Sequence, residues 1–297
     1  MSESIALVHM DGKLPNMALM KIAAYHKAQG DNVEWWTGPL FPYHKVYASK
    51  IFKFTPDNLP EYVMRGGTGF AWDSQLPDAI DNANHNEGWF LYSNYKNHLG
   101  FSERGCRLKC SFCVVPKKEG KPRLESSIED LLGNPQGEDR LVLLDDDFLG
   151  HPDCLDVFAE LVDRKLKVCF SQGLNIRTIT EAQAEALAKV KFFNLKFTFP
   201  QVTFAWDIFM DKKLIERGFK RCNEAGIKPW RMQFFVLIGY DSTEEEDLER
   251  VETLRSWEAD PFVMAYDKDN DYQRNFQRYV NHRAVFHSTS WAEYRKT

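Results

Sequence analysis

Three cysteines lie within one short run, Gly105-Cys-Arg-Leu-Lys-Cys-Ser-Phe-Cys113, and they constrain this chain more than any other feature. The spacing C-x3-C-x2-C presents three thiolates from a single loop. Three thiolates can hold three irons of a [4Fe–4S] cluster, which ordinarily takes four cysteines. The fourth iron then lacks a protein ligand and is open to a small molecule, and an open metal position marks a site of chemistry. Phe112 stands directly before the last cysteine, and Gly105 lets the backbone turn tightly into the loop. A Cys3His zinc site recruiting His98 is the competing donor set. Zinc sites usually come as two separated pairs, and no second pair exists here.

On Cys106, Cys110, Phe112 and Cys113 the chain resembles the radical S-adenosylmethionine (radical SAM) superfamily. The resemblance implies one [4Fe–4S] cluster whose open iron chelates the amino and carboxylate groups of SAM. It further implies reductive cleavage of SAM to methionine and a 5′-deoxyadenosyl radical, which abstracts hydrogen from a substrate.

With 297 residues the chain can bury a substantial core. No apolar run approaches the span of a membrane helix, and no signal-peptide pattern opens the sequence. Cys154, Cys169 and Cys222 are scattered, and with no secretory context a reducing cytoplasm is expected. They are expected to be buried thiols. No cysteine precedes Cys106 and none follows Cys222, so one cluster and no sulfur-insertion chemistry are expected.

Strands alternate with helices, which implies an α/β fold with parallel sheets. Strands are expected at Ile5–His9, Val33–Trp36, Val46–Phe52 and Tyr62–Met64, with a helix over Leu14–Gln29 that holds Pro15 in its first turn. Residues 1–97 thus look like a small Rossmann-like domain. They weakly resemble the cobalamin-binding domain of one radical SAM branch, but that domain's D-x-H-x-x-G motif is absent; Asp81, His85 and Gly88 come near it with the wrong spacing. A cofactor-free relative is expected, with Gly66-Gly67-Thr68-Gly69 as a turn closing a strand. A cobalamin-dependent methylase with a divergent N-terminal domain and a non-catalytic metal-binding protein remain the alternatives.

The resemblance covers residues 98–266 and implies an incomplete (β/α)6 barrel, TIM-like in plan. A helix at Ser126–Leu132 and strands at Leu141–Leu144, Lys167–Phe170, Phe192–Phe199, Met232–Ile238 and Phe262–Tyr266 fit it, with a helix over Asp211–Ala225 and capping boxes at Thr180/Gln183 and Thr243/Glu246. Carboxylates past a barrel strand point to the active face, so the resemblance assigns the Asp145, Asp146 and Asp147 run to the SAM ammonium. It likewise assigns Gln172, Asn175 and Arg177 to the ribose hydroxyls and carboxylate, and Ile238 with Gly239 to the adenine. A turn and helix cap explain one aspartate of the run easily and three less well, and a structural loop accounts nearly as well for any one of Gln172, Asn175 and Arg177. No side chain is assigned as a general base.

Residues 267–297 carry Tyr272, Phe276, Tyr279, Phe286 and Trp291 among arginines. A segment closing the barrel is expected, although such interleaving can also bind nucleic acid by stacking. Net charge is −5, against a chain that coats nucleic acid non-specifically. A local basic run still joins Arg104, Arg107, Lys109, Lys117, Lys118, Lys121 and Arg123. A solvated face explains it first. An acidic electron donor such as flavodoxin or ferredoxin, or the phosphates of a nucleotide or nucleic-acid substrate, are the two functional readings.

Overall fold

Asn16 starts the first helix. Its side chain accepts a hydrogen bond from the Leu19 backbone N–H at 3.1 Å, which satisfies one of the donors left orphaned in a first turn. Pro15 therefore lies before the cap, and helix α1 spans Met17–Ala28 instead of reaching back to Leu14. The computed structural model describes residues 2–295. Met1 of the N-terminal domain, and Lys296 and Thr297 of the C-terminal segment, lie outside the described residues. The chain forms two units, Met1–Gly100 with Glu129–Glu138 and Phe101–Ile128 with Asp139–Thr297.

In the first unit β1 (Ser4–His9), β2 (Asn32–Trp35), β3 (Lys45–Ser49) and β4 (Met64–Gly66) make a parallel sheet in the order β2-β1-β3-β4. Ile5 and Leu7 pack on Leu19, Ile22 and Ala23 of α1, while Ala6 packs with Val46 and Ala48 on the opposite face. Burial on both faces explains why β1 is an unbroken apolar run. The strand expected at Tyr62–Met64 begins at Met64. The glycines after it serve packing: Gly67 has φ +93°, and a Cβ there would lie 2.5 Å from the Lys50 carbonyl oxygen. The unit also contains α2 (Asp78–Asp81) and β5 (His98–Gly100).

The second unit begins with β6 (Glu103–Arg104), α3 (Val115–Lys118) and β7 (Arg123–Leu124). Helix α4 (Ile128–Leu131), the shortened form of the helix expected over Ser126–Leu132, starts at the last residue of this stretch and lies mostly in the segment 129–138 of the first unit. Strands β8 (Arg140–Leu143) and β9 (Lys167–Phe170) flank α5 (Cys154–Asp163); α6 (Glu181–Lys189) leads to β10 (Lys191–Phe192). Then come β11 (Val202–Ala205), α7 (Lys212–Glu224), β12 (Met232–Ile238), α8 (Glu244–Ser256) and β13 (Asp260–Ala265). β9 pairs in parallel with β8 and β10, and β12 with β11 and β13. A parallel bridge between Leu174 and Phe204 joins the loop after β9 to β11. The fold is mixed α/β with parallel sheets, and the two capping boxes are present at Thr180/Gln183 and Thr243/Glu246.

One strand expectation needs correction. Phe192–Phe199 is not a continuous strand: β10 stops at Phe192, and a turn follows. The Asn194 side chain accepts the Thr198 N–H at 3.0 Å, and Phe197 takes φ 55°, which no strand allows. Pairing resumes at Val202.

The C-terminal segment folds as α9 (Asp271–Asn281), α10 (Arg283–Ser288) and α11 (Trp291–Tyr294). Side-chain amides of Gln277 and Asn281 donate to the Val263 carbonyl, each at 2.9 Å, and Asn281 Oδ1 accepts the Val263 N–H at 2.8 Å. Polar groups of β13 are thereby satisfied and its edge is protected. Among the described residues no helix is long and apolar enough to cross a membrane.

Candidate metal centre

The cysteine loop is closed at its base by the antiparallel pairing of Glu103 with Leu124 and Arg104 with Arg123. Gly105 makes this closure feasible. It has φ +92°, and a Cβ there would sit 2.4 Å from the Lys121 carbonyl oxygen. The Cys106 N–H then donates to the Gly120 carbonyl at 3.1 Å, and the Cys113 N–H to the Cys110 carbonyl at 3.0 Å. All three thiols are half-buried. The Leu108 N–H points at Cys106 Sγ, 3.4 Å away.

Groups from the C-terminal ends of parallel strands surround this loop. From the end of β8, Asp147 meets Arg107 Nε at 2.9 Å and lies beside Cys106, which acts on its carboxyl. Asp146 accepts the Gly105 N–H at 3.2 Å. Past β9, Arg177 lies against Cys110, its Nη1 bonded to Asp211 at 2.7 Å and its Nε to Asn175 Oδ1 at 3.0 Å. Past β11, Asp207 is close enough to Cys113 for its charge to act on the thiol. Past β12, Tyr240 meets the Phe112 ring edge-on at 5.6 Å. The sequence thus pointed to several members of one neighbourhood: Phe112, Asp146, Asp147, Asn175 and Arg177.

The other expected residues stand differently. Asp145 is buried, and both its oxygens are taken by Ser102, one by the backbone N–H at 2.7 Å and the other by the hydroxyl. Gln172 is exposed. Ile238 is wholly buried with the alternate residues of β12 that face the core. A Cβ on Gly239 would collide with the Gln273 side chain at 1.9 Å, so this glycine is needed for packing against α9.

Burial dominates the electrostatics. It pushes the Cys106 thiol up to about 12, with the charges of Asp147 and the other two thiols adding, and it raises Cys113 in the same way. It also raises Asp145 to about 7 and Asp146 to about 6. Without a cation these groups resist ionisation; a bound metal reverses that preference and deprotonates its thiols outright.

Glu103 is the main residue that sequence reasoning missed. It is fully buried, its Oε1 accepts the Asp147 N–H at 3.1 Å, and its Oε2 has no partner. Burial pushes its carboxyl up to about 8, with repulsion from the three aspartates adding. Nothing in its local sequence marks it.

Three thiols presented from one loop are the donor type that an iron–sulfur cluster takes. Among the described residues the one trio of possible ligand atoms mutually within 4.8 Å is Glu3, His26 and Asp31. The Glu3 trio is itself satisfied: His26 bonds Asp31 at 2.8 Å and Tyr47 at 3.0 Å, and Lys45 holds Glu3 at 2.6 Å.

The expected basic run is partly consumed by ion pairs. Arg104 holds Glu119 at 2.8 Å, Arg123 reaches the same carboxylate at 3.6 Å, and Arg107 holds Asp147. Lys109, Lys117 and Lys121 remain among its outward members. No protein-family model matches the chain, and no curated protein matches it either.

Proposed function

We propose that this chain is a radical SAM enzyme, with Cys106, Cys110 and Cys113 as the protein ligands of one [4Fe–4S] cluster. The observation that carries the proposal is the set of strand-end groups around the loop, with Asp147 on Cys106, Arg177 on Cys110 and Asp207 near Cys113. When bound, the cluster would supply an open iron for the amino and carboxylate groups of SAM and the electron for its reductive cleavage to a 5′-deoxyadenosyl radical.

The chain's own residues then position and enclose. Gly105 and the Arg107–Asp147 pair hold the loop against β8. Asp146 and Asp147 are the better-placed carboxylates of the run for an ammonium group, because both Asp145 oxygens are committed to Ser102 whereas Asp147 Oδ1 has no partner. Arg177, steadied by Asn175 and Asp211, supplies positive charge for a carboxylate. Phe112 and Tyr240 exclude water beside the third thiol. The parallel strands β8, β9 and β10, and β11, β12 and β13, bridged at Leu174 and Phe204, support an incomplete (β/α)6 barrel. The strand order β2-β1-β3-β4 supports a Rossmann-like N-terminal unit. Lys109, Lys117 and Lys121 suit an acidic electron donor such as a flavodoxin or ferredoxin.

The test is anaerobic purification and iron reconstitution, then incubation with SAM and dithionite and an assay for 5′-deoxyadenosine. Product that disappears in Cys110→Ala is expected. A preparation that takes up zinc and no iron refutes the proposal and favours a non-catalytic metal-binding protein.

A further inference from the structure

Apart from the metal centre, the second unit has a cavity of about 610 Å³ lined by Tyr272, Asn275, Arg278, Trp291, Tyr294 and Arg295. Its size lies within the range of small-ligand sites. It is built by α9 and α11, and the aromatic residues of α9, α10 and α11 divide into two sets. Phe276, Tyr279, Phe286 and Trp291 are buried and form the local core; Trp291 meets Phe276 at 5.0 Å and Tyr279 at 5.3 Å. Tyr272 and Tyr294 are half-buried and present ring surface to the cavity.

The charged lining is of one sign. It consists of two guanidiniums, Arg278 and Arg295, with no carboxylate among the lining residues. Arg295 is fixed in place, stacked over the Trp291 ring at 5.5 Å and tied to Glu244 at 3.2 Å. Arg278 is exposed, and among the described residues its guanidinium makes no hydrogen bond or ion pair. Its neighbour Arg274, by contrast, is paired with Asp271. An unpaired guanidinium beside aromatic rings matches an anion carried on a planar ring: phosphate accepts the guanidinium's forked donors, and a base stacks on the rings.

We propose that this cavity binds a nucleoside phosphate unit, either a free nucleotide or one unit of a single strand, with the phosphate on Arg278 and the base against Tyr272 and Tyr294. The site is independent of the metal centre and stands whether or not the chain carries a cluster.

The probes are dTMP, read by calorimetry, and fluorescein-labelled hexathymidylate, read by anisotropy, each added to the full chain. Arg278→Glu is expected to weaken binding by about tenfold or more, since it removes one charge-assisted contact and adds repulsion. Arg274→Ala, on the same helix but outside the lining, is expected to leave binding unchanged. Because Arg278 is exposed and unpaired, its substitution should not disturb folding, and an unchanged thermal midpoint checks this. Binding of dTMP identifies a free nucleotide as the ligand; binding of the strand alone identifies nucleic acid. Absence of binding by both probes, or equal binding by wild type and Arg278→Glu, overturns the proposal.

Discussion

Replacing Arg250 with methionine should destabilise the larger unit severely. Arg250 and Asp247 form an ion pair at 2.5 Å, with both side chains wholly buried. The same guanidinium donates to the carbonyls of Trp206 and Asp207, each at 3.0 Å, and to that of Leu237 at 2.9 Å. One side chain therefore ties the ends of β11 and β12, where Asp207 approaches Cys113, to helix α8. Methionine preserves much of the volume but removes every donor. Asp247 keeps only the Ser242 hydroxyl at 2.6 Å and the Tyr272 hydroxyl at 3.1 Å, while its charge stays buried. Breaking a buried pair from one side costs about 3–5 kcal/mol. With a urea slope of about 3 kcal/mol per molar, the midpoint should fall by roughly 1 M or more. Tryptophan fluorescence can follow the transition, because Trp206 and Trp257 stack in this core at 6.0 Å. Adding Asp247→Asn to Arg250→Met should recover about 1–2 kcal/mol by removing the stranded charge. A loss below about 1 kcal/mol for Arg250→Met would refute the view that this arginine holds the strand ends together.

The Glu103 carboxyl is raised from 4.5 to about 8 by burial, so in iron-free protein the folded state holds a proton that the unfolded state has released between those values. Its contribution to stability therefore declines as pH rises through that window; Glu103→Gln should flatten the decline in urea midpoints measured at the two ends of it. Gly88→Ala should destabilise the smaller unit by about 2 kcal/mol or more, because a Cβ there would lie 2.5 Å from the Met20 carbonyl oxygen in α1. A thermal midpoint unchanged from wild type would contradict this account of the glycine.

Features governed by neighbours in the sequence were legible in it. Both capping boxes, β9 and β12 stand at their expected residues, because each depends on side chains a few positions apart or on an apolar run between turns. The cysteine spacing likewise identified the loop and the type of donor it offers. Where local pattern misled, a turn intervened: Phe192–Phe199 alternates like a strand, yet Asn194 captures the Thr198 N–H and bends the chain. Tertiary structure alone decided the rest. It buried Glu103 by bringing residues 102–104 against 145–147, and it committed Asp145 to Ser102. It also spent Arg104, Arg107 and Arg123 of the basic run on Glu119 and Asp147, and left Arg278 unpaired beside two half-buried tyrosines. Charge and hydrogen-bonding capacity are properties of a residue, but whether they are available depends on which distant groups folding places within a few ångströms.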